Sequence, residues 1–308
     1  MDKVPVRVDG RFRLGDILGY GSYAVVYRAW NIILDDAVAV KLETIMHSSS
    51  VQHEYKILKH LEGGVGIPRA LWFGRESTYY TLVLELLGPS LHNLFLAHNG
   101  KFSLETVANL GDQLLSHLKY IHSYGYVHGN IKPQNIVMGL GDLKHTAFII
   151  DFGVAKEFWD TSTSVHIPFC QGRRLTGTPA FTSINNHLGS LTYMLIYFLQ
   201  GSLPWLTSDE EKLSSSSILE RKVNTTIEDL CRGIPVEFAT MLIYTCSLAF
   251  SEDPDYSHLS SLLSALSTCM LDLDQPDAHI THSALSSNEP RVIEAVPPCP
   301  PLRRSSCV

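Results

Sequence analysis

Short apolar runs divided by turn residues open the chain. Phe12–Leu18, Ala24–Trp30 and Ala37–Leu42 are rich in β-branched and aromatic residues, and this pattern predicts a small antiparallel sheet. The period then changes: Val51, Tyr55, Leu58 and Leu61 fall at helical spacing and predict one helix over about Val51–Leu61. A second strand pair is expected at Ala70–Gly74 and Tyr79–Leu86, after which Gly88-Pro89 breaks the chain. Beyond the break Ser90–Ala97, Leu104–Ser123, Leu191–Gln200 and Pro235–Ala249 carry apolar faces at helical spacing. A β-rich part followed by an α-rich part predicts an α+β protein of two lobes joined near Leu86–Pro89. The expected boundaries are an extension over 1–10, a small lobe and hinge over 11–87, a larger helical lobe over 88–268 and a tail over 269–308.

Composition supports a globular reading and narrows the function. Of 308 residues 45% are hydrophobic and 18% charged, enough apolar side chain for a sizeable core. The net charge of −7 and the lack of a long Lys/Arg run argue against a dedicated nucleic-acid binder or a polybasic membrane-surface protein. Leu191–Leu199, the longest apolar stretch, is about half of the ~18 residues a membrane span needs. The start, Met1-Asp2-Lys3-Val4-Pro5, lacks the pattern of a secretory signal, which favours the cytoplasm or nucleus. Cys170, Cys231, Cys246, Cys269, Cys299 and Cys307 show no CxxC or metal-ligand spacing, so reduced thiols are expected. Six of the fifteen prolines lie in the last 38 residues among serines, and predict a disordered tail. Its Pro297-Pro298-Cys299-Pro300-Pro301 run reads as solvated chain or, alternatively, as an extended docking peptide.

Candidate chemistry begins at Leu18-Gly19-Tyr20-Gly21-Ser22-Tyr23-Ala24. Gly19 and Gly21, between two β-runs, would let backbone N–H groups approach phosphates, although the pair alone also fits an ordinary hairpin turn. Lys41 ends the apolar strand Ala37-Val38-Ala39-Val40 and is suited to neutralising phosphates, and Glu54 on the next helix could hold it by an ion pair. Further on lie His128-Gly129-Asn130-Ile131-Lys132-Pro133-Gln134-Asn135 and Ile149-Ile150-Asp151-Phe152-Gly153. Asp151 and Asn135 offer the oxygen ligands that Mg²⁺ accepts when it also bridges phosphates.

The order of glycine loop, strand lysine, helix glutamate, H-x-x-x-K-P-x-N and D-F-G resembles the eukaryotic protein kinases. Gly63-Gly64-Val65-Gly66-Ile67-Pro68, Leu86-Leu87-Gly88-Pro89-Ser90-Leu91, His166-Ile167-Pro168, Leu175-Thr176-Gly177-Thr178, Ser183-Ile184-Asn185-Asn186-His187-Leu188-Gly189, Gly201-Ser202-Leu203-Pro204-Trp205 and Pro254-Asp255-Tyr256 are similar to casein kinase 1. The resemblance spans about Arg11–Leu266. It implies a bilobal kinase fold, ATP and Mg²⁺ in the cleft, and activity on Ser/Thr of acidic or already phosphorylated proteins. It also implies ATP contacts from Gly19, Gly21, Ala39, Lys41, Glu54, Glu85 and Leu87, a hinge at Glu85-Leu86-Leu87 with Leu84 as gatekeeper, metal contacts from Asn135 and Asp151, and a catalytic role for Lys132.

Departures from the family pattern fall where the chemistry is done. Asn130 stands in place of the aspartate that takes the proton of the substrate hydroxyl, and a neutral amide cannot act as that base. Gln134 replaces another acidic residue. Ala180 stands where an arginine would read a substrate phosphate, which leaves Arg221 and Lys222 as candidate anion contacts or, alternatively, as a solvated basic pair. Gly189 runs directly into Ser190-Leu191, so about three turns of chain are missing before the central helix. No Asp or Glu occurs between Asp160 and Asp209, so the carboxylate that would anchor the catalytic loop has no counterpart and a central helix of about 11 residues is expected. A general base is worth roughly 10²–10⁴-fold. The expectation is a monomeric, ATP-binding, catalytically impaired kinase-like scaffold that engages a protein partner. The alternatives are a slow Ser/Thr kinase and a degenerate product that folds poorly.

Overall fold

The computed structural model describes residues 6–21, 24–45, 50–76, 78–160, 165–166, 178–183, 187–206, 214–249 and 252–271. All belong to one compact unit, Met1–Leu273. The tail from 272 onward, with its proline run, lies outside the described residues, as do Ser22, Tyr23, Leu175–Gly177 and Ile184–Asn186.

The first part is the antiparallel sheet the pattern predicts. Strands β1 (Arg7–Val8), β2 (Phe12–Tyr20), β3 (Ala24–Asn31), β4 (Asp36–Thr44), β5 (Ala70–Glu76) and β6 (Tyr79–Glu85) lie in the order β1-β2-β3-β4-β6-β5. β2 carries register shifts between Leu14 and Gly19, as the strand approaches the glycine pair. Alternation along β4 divides the labour between its faces. Val38, Val40 and Leu42 join Val8, Phe12, Ala29 and Val83 in one apolar cluster, which leaves Ala39, Lys41 and Glu43 on the other face. Helix α1 (Ser50–His60) packs there, contributing Val51, Ile57 and Leu58 to the larger core.

The second part begins at Gly88-Pro89, where the chain leaves the sheet. Helix α2 (Leu91–Ala97) starts on the Ser90 hydroxyl, which accepts from Asn93 N, and α3 (Leu104–Ser123) starts likewise on Ser103. Short strands β7 (Tyr126–Val127), β8 (Ile136–Met138), β9 (Ala147–Ile149) and β10 (Lys156–Glu157) carry the loops of the candidate site. They are followed by helices α4 (His187–Gln200), α5 (Ser215–Asn224), α6 (Ile227–Leu230), α7 (Val236–Ser247) and α8 (Tyr256–Leu271). α3 packs on α8 and α4, and α4 on α7. At their meeting point Gly111 has no room to spare, because a Cβ there would lie 3.0 Å from Leu195 Cδ1 and 3.1 Å from Leu263.

Two expectations require correction. The central helix has 14 residues rather than about 11, because Leu188, which is buried, draws His187–Gly189 into the helical run. α8 continues through Cys269 to Leu271, past the expected start of the tail, on an apolar stripe of Leu259, Leu263 and Leu266. α4 is buried nearly all round: Leu191, Met194, Leu195, Ile196 and Phe198 have almost no solvent contact. Phe198 stacks with Phe95 and Phe102 at centroid distances of 5.5 and 4.9 Å. Phe198→Ala should therefore destabilise the fold by about 3–5 kcal/mol, whereas Ile33→Ala on the exposed β3–β4 turn should stay within about 0.5 kcal/mol. Urea melts of the two variants check this, and equal effects would contradict the assigned core.

Candidate functional site

The outward and inward alternation of β4 decides where the first charge goes. Lys41, on the face toward α1, is buried and donates to Glu54 Oε2 at 2.7 Å and to Asp151 Oδ1 at 2.8 Å. Glu54 uses its other oxygen to accept the backbone N–H of Phe152 at 3.2 Å. One strand, one helix and the Asp151–Gly153 turn are thus tied at a single ammonium. Burial alone would pull the Lys41 pKa down, but the charges of Glu54 and Asp151 outweigh it and raise it, so the cation persists throughout the physiological range. Burial likewise pushes Asp151 up, and Lys41, His128 and Lys132 overcome that and hold its carboxyl below the usual range. Asp151 adopts φ +70°, a strained conformation that Asp and Asn tolerate better than most residues.

α1 is fixed at several further points. Its first turn holds no acidic residue of its own. Glu43 instead reaches from β4, two residues beyond Lys41 on the same face, and its carboxylate accepts from Ser50 Oγ and Val51 N at 2.9 Å each. A negative group there also complements the helix dipole. His53 Nε2 contacts Ala155 O at 2.8 Å, and His60 Nδ1 meets the Tyr126 hydroxyl at 2.7 Å, which in turn donates to Glu157 at 3.1 Å. Helix, Asp151 turn and β10 are therefore tied together.

The segment His128–Asn135 forms a closed loop beneath Asp151. His128 is fully buried, and burial pulls its pKa to about 4, so the ring is neutral at neutral pH. Its Nδ1 accepts from Asn130 N at 3.3 Å, which puts the ring proton on Nε2 for donation to Ile150 O at 3.0 Å. Gly129 takes φ +78°, where a side chain would be strained. Asn135 Nδ2 donates to Asn130 O at 2.9 Å, and Asn135 O accepts from Ile150 N at 2.9 Å. Asn130 itself turns its Oδ1 to Thr178, accepting from both N and Oγ1 at 3.1 Å. A backbone N–H can only donate, so the amide orientation is fixed with the oxygen on that side.

Thr178–Ser183 is held from below. Lys222 on α5 donates to Pro179 O at 2.5 Å and Thr182 O at 2.8 Å, with its ammonium 5.0 Å from the Trp205 ring centroid and 5.2 Å from that of Tyr193. Trp205 Nε1 donates to Ala180 O at 2.8 Å, and Ser183 N donates to Ser190 Oγ at 2.9 Å. Lys222 is therefore neither a solvated residue nor an anion contact, which corrects both expectations for it. At the start of α4 a serine hydroxyl, not a carboxylate, meets this segment.

The remaining predicted residues line the space between the sheet and the loop. Gly19 lies in β2 opposite Val26 with open space where a Cβ would point, and Gly21 N donates to Ala24 O at 2.7 Å, closing the turn toward β3. Ala39 pairs with Leu84 across β4 and β6. Glu85 ends β6 with its carboxylate bound to Arg69, 2.8 Å from the backbone N and 3.1 Å from Nε, and Leu87 follows in the extended hinge. Lys132, half-buried beside Asp151, makes no ion pair among the described residues.

The donor set fits a nucleotide with its cation. Asn135 and Asp151 each retain an oxygen free of hydrogen bonds among the described residues, and both are hard ligands of the type Mg²⁺ takes. No cluster of three or more His, Cys, Asp or Glu suited to a metal occurs among the described residues, so a cation here would also draw on phosphate oxygens. The family model described as protein kinase domain matches residues 12–279. The chain belongs to the protein kinase family. Domains of this family use ATP and Mg²⁺, and in this chain Lys41, Glu54 and Asp151 of its motifs meet at one ammonium. Glu43 is not marked by the motifs, although alternation from Lys41 could have found it; Thr178 lies in a marked motif without an assigned role, and Lys222 is marked for a different one.

The buried imidazoles give this kinase domain a pH signature. His117, packed under Gly66 on α3, also has its pKa pulled by burial from 6.5 to about 4. As pH falls below 6.5 the unfolded chain takes up protons that the folded chain refuses until about pH 4. Stability is then complete above that window and is lost progressively within it. Urea midpoints should fall from neutral to mildly acidic pH, and His128→Gln should reduce the difference; a flat profile would show that neither ring is held neutral.

Proposed function

We propose that this kinase domain is of the casein kinase 1 type, binds Mg·ATP between its sheet and its helical part, and is catalytically impaired, acting as a scaffold through contacts with a protein partner. The observation that carries the reading is a contrast within one site. Lys41, Glu54 and Asp151 are drawn together in a closed set, while the base position holds Asn130 with its carbonyl oxygen committed to Thr178.

ATP with Mg²⁺ would supply the transferable phosphoryl group. Toward it Lys41 offers a permanent cation, Asn135 and Asp151 offer oxygens, and Lys132 offers a second cation near Asp151. Positioning and charge neutralisation supply most of the catalysis of phosphoryl transfer, so these residues support nucleotide binding and a low basal rate. Asn130 can orient a hydroxyl through its amide but has no site that takes the hydroxyl proton near neutral pH. The intact cation and oxygen set also sustains the second reading, a slow Ser/Thr kinase. We place the protein as a monomer in the cytoplasm or nucleus, with a protein rather than nucleic acid as its partner.

Thermal-shift titration with Mg·ATP, run beside phosphate transfer to an acidic peptide, tests the reading. The wild type should shift without appreciable transfer, and Lys41→Met and Asp151→Asn should each abolish most of the shift. Asn130→Asp should raise transfer by ~10²-fold, the scale of a general base. A wild-type rate of ~1–100 s⁻¹ would establish an efficient kinase and end the scaffold reading. A shift unaltered by either cleft substitution would move the nucleotide elsewhere.

A further inference from the structure

Lys222 lies in an environment that does not favour a lysine. It is 7% exposed, has no carboxylate partner among the described residues, and sits against two aromatic rings. Burial pulls its pKa down to about 8 with no opposing contribution. A buried cation without a counter-charge lowers stability relative to an apolar side chain of similar size, so its presence calls for a gain elsewhere. That gain is visible in what the ammonium touches: two backbone carbonyls, Pro179 O and Thr182 O, at either end of one turn.

This turn is joined directly to the base position. Thr178 precedes Pro179 and gives both its N–H and its hydroxyl to Asn130 Oδ1. Phe181 N and Thr182 N close the turn on Thr178 O at 3.0 Å each. Asn130 therefore sits directly against this shelf. The side chains seen to hold the shelf come from widely separated parts of the chain. Trp205 Nε1 donates to Ala180 O, Ser183 N donates to Ser190 Oγ, and Lys222 donates to Pro179 O and Thr182 O.

We infer that Lys222 is a positioning residue of this kinase domain, holding the Thr178–Ser183 shelf against Asn130 and so shaping the side of the site where an acceptor or partner peptide docks. The role rests on family membership and on this geometry, not on nucleotide affinity or on the rate of transfer. Lys222 touches neither the Lys41 set nor α1, so its influence is confined to the acceptor side.

Lys222→Met keeps the aliphatic stem against Trp205 and Tyr193 and removes only the ammonium. Hydrogen exchange followed by mass spectrometry should show the Ala180–Ser183 amides exchanging at least ~10-fold faster, the scale of a lost charge-assisted hydrogen bond. Exchange across α1 should be unchanged, and the melting temperature equal to or above wild type. Lys222→Gln, which keeps a donor, should recover part of the protection and serves as the test should the methionine variant fail to fold. A general stabilising role predicts the opposite pattern, with a lower melting temperature and faster exchange across α1, α4 and the shelf together. That pattern, or unchanged exchange at Ala180–Ser183, would overturn the assignment.

Discussion

A single buried ammonium holds the upper half of the site together. Lys41 is the meeting point of β4, α1 and the Asp151 turn, and both its carboxylate partners are also structural. Removing Lys41 would leave two carboxylates without their shared partner, and breaking a buried ion pair in this way typically costs about 3–5 kcal/mol. The sheet's alternation, the Glu43 cap on α1 and the links from His53 and His60 into the lower part all serve to bring that ammonium to one place. A cation so fixed would need little reorganisation to meet a phosphate.

In the lower half the His128–Asn135 loop is built on neutral groups, whereas the shelf beside it is held by the Lys222 ammonium. His128 stays uncharged, Asn130 is an amide that links the loop to Thr178, and α4 opens on Ser190 rather than on a carboxylate. Neutral hydrogen bonds replace charged ones, and the loop keeps its shape through Asn135, Ile150 and the His128 ring. In the function proposed above the two halves diverge: one would hold a nucleotide, and the other would hold a peptide-facing shelf without activating a hydroxyl.

Much of this was legible in the sequence, and the rest was hidden for identifiable reasons. β2, β3, β4 and α3 announce themselves by period, and Lys41, Glu54, Asn135 and Asp151 by spacing. α8 is rich in serine, a weak helix former, and its leucine stripe competes with that composition. Lys222 reads as a surface residue because its partners are backbone carbonyls 40 and 43 positions away, which leave no mark in sequence. Thr178 lies in a stretch the family resemblance marks, but its bond to Asn130 arises only once the loop and the shelf meet. Glu43 shows the intermediate case, since the alternation that places Lys41 also places it, but its role needs the entry angle of α1.

We propose that a fixed cation and two oxygen ligands form a nucleotide site although the base position holds Asn130. Isothermal titration of ATP into the wild-type chain, with Mg²⁺ and again with the metal chelated, tests it most directly. The account predicts saturable binding in the ~1 μM–1 mM range of ordinary enzyme substrates, weakened at least ~10-fold on chelation because the oxygens of Asn135 and Asp151 act through the cation. Binding of equal strength with and without Mg²⁺, or no binding at all, would contradict it.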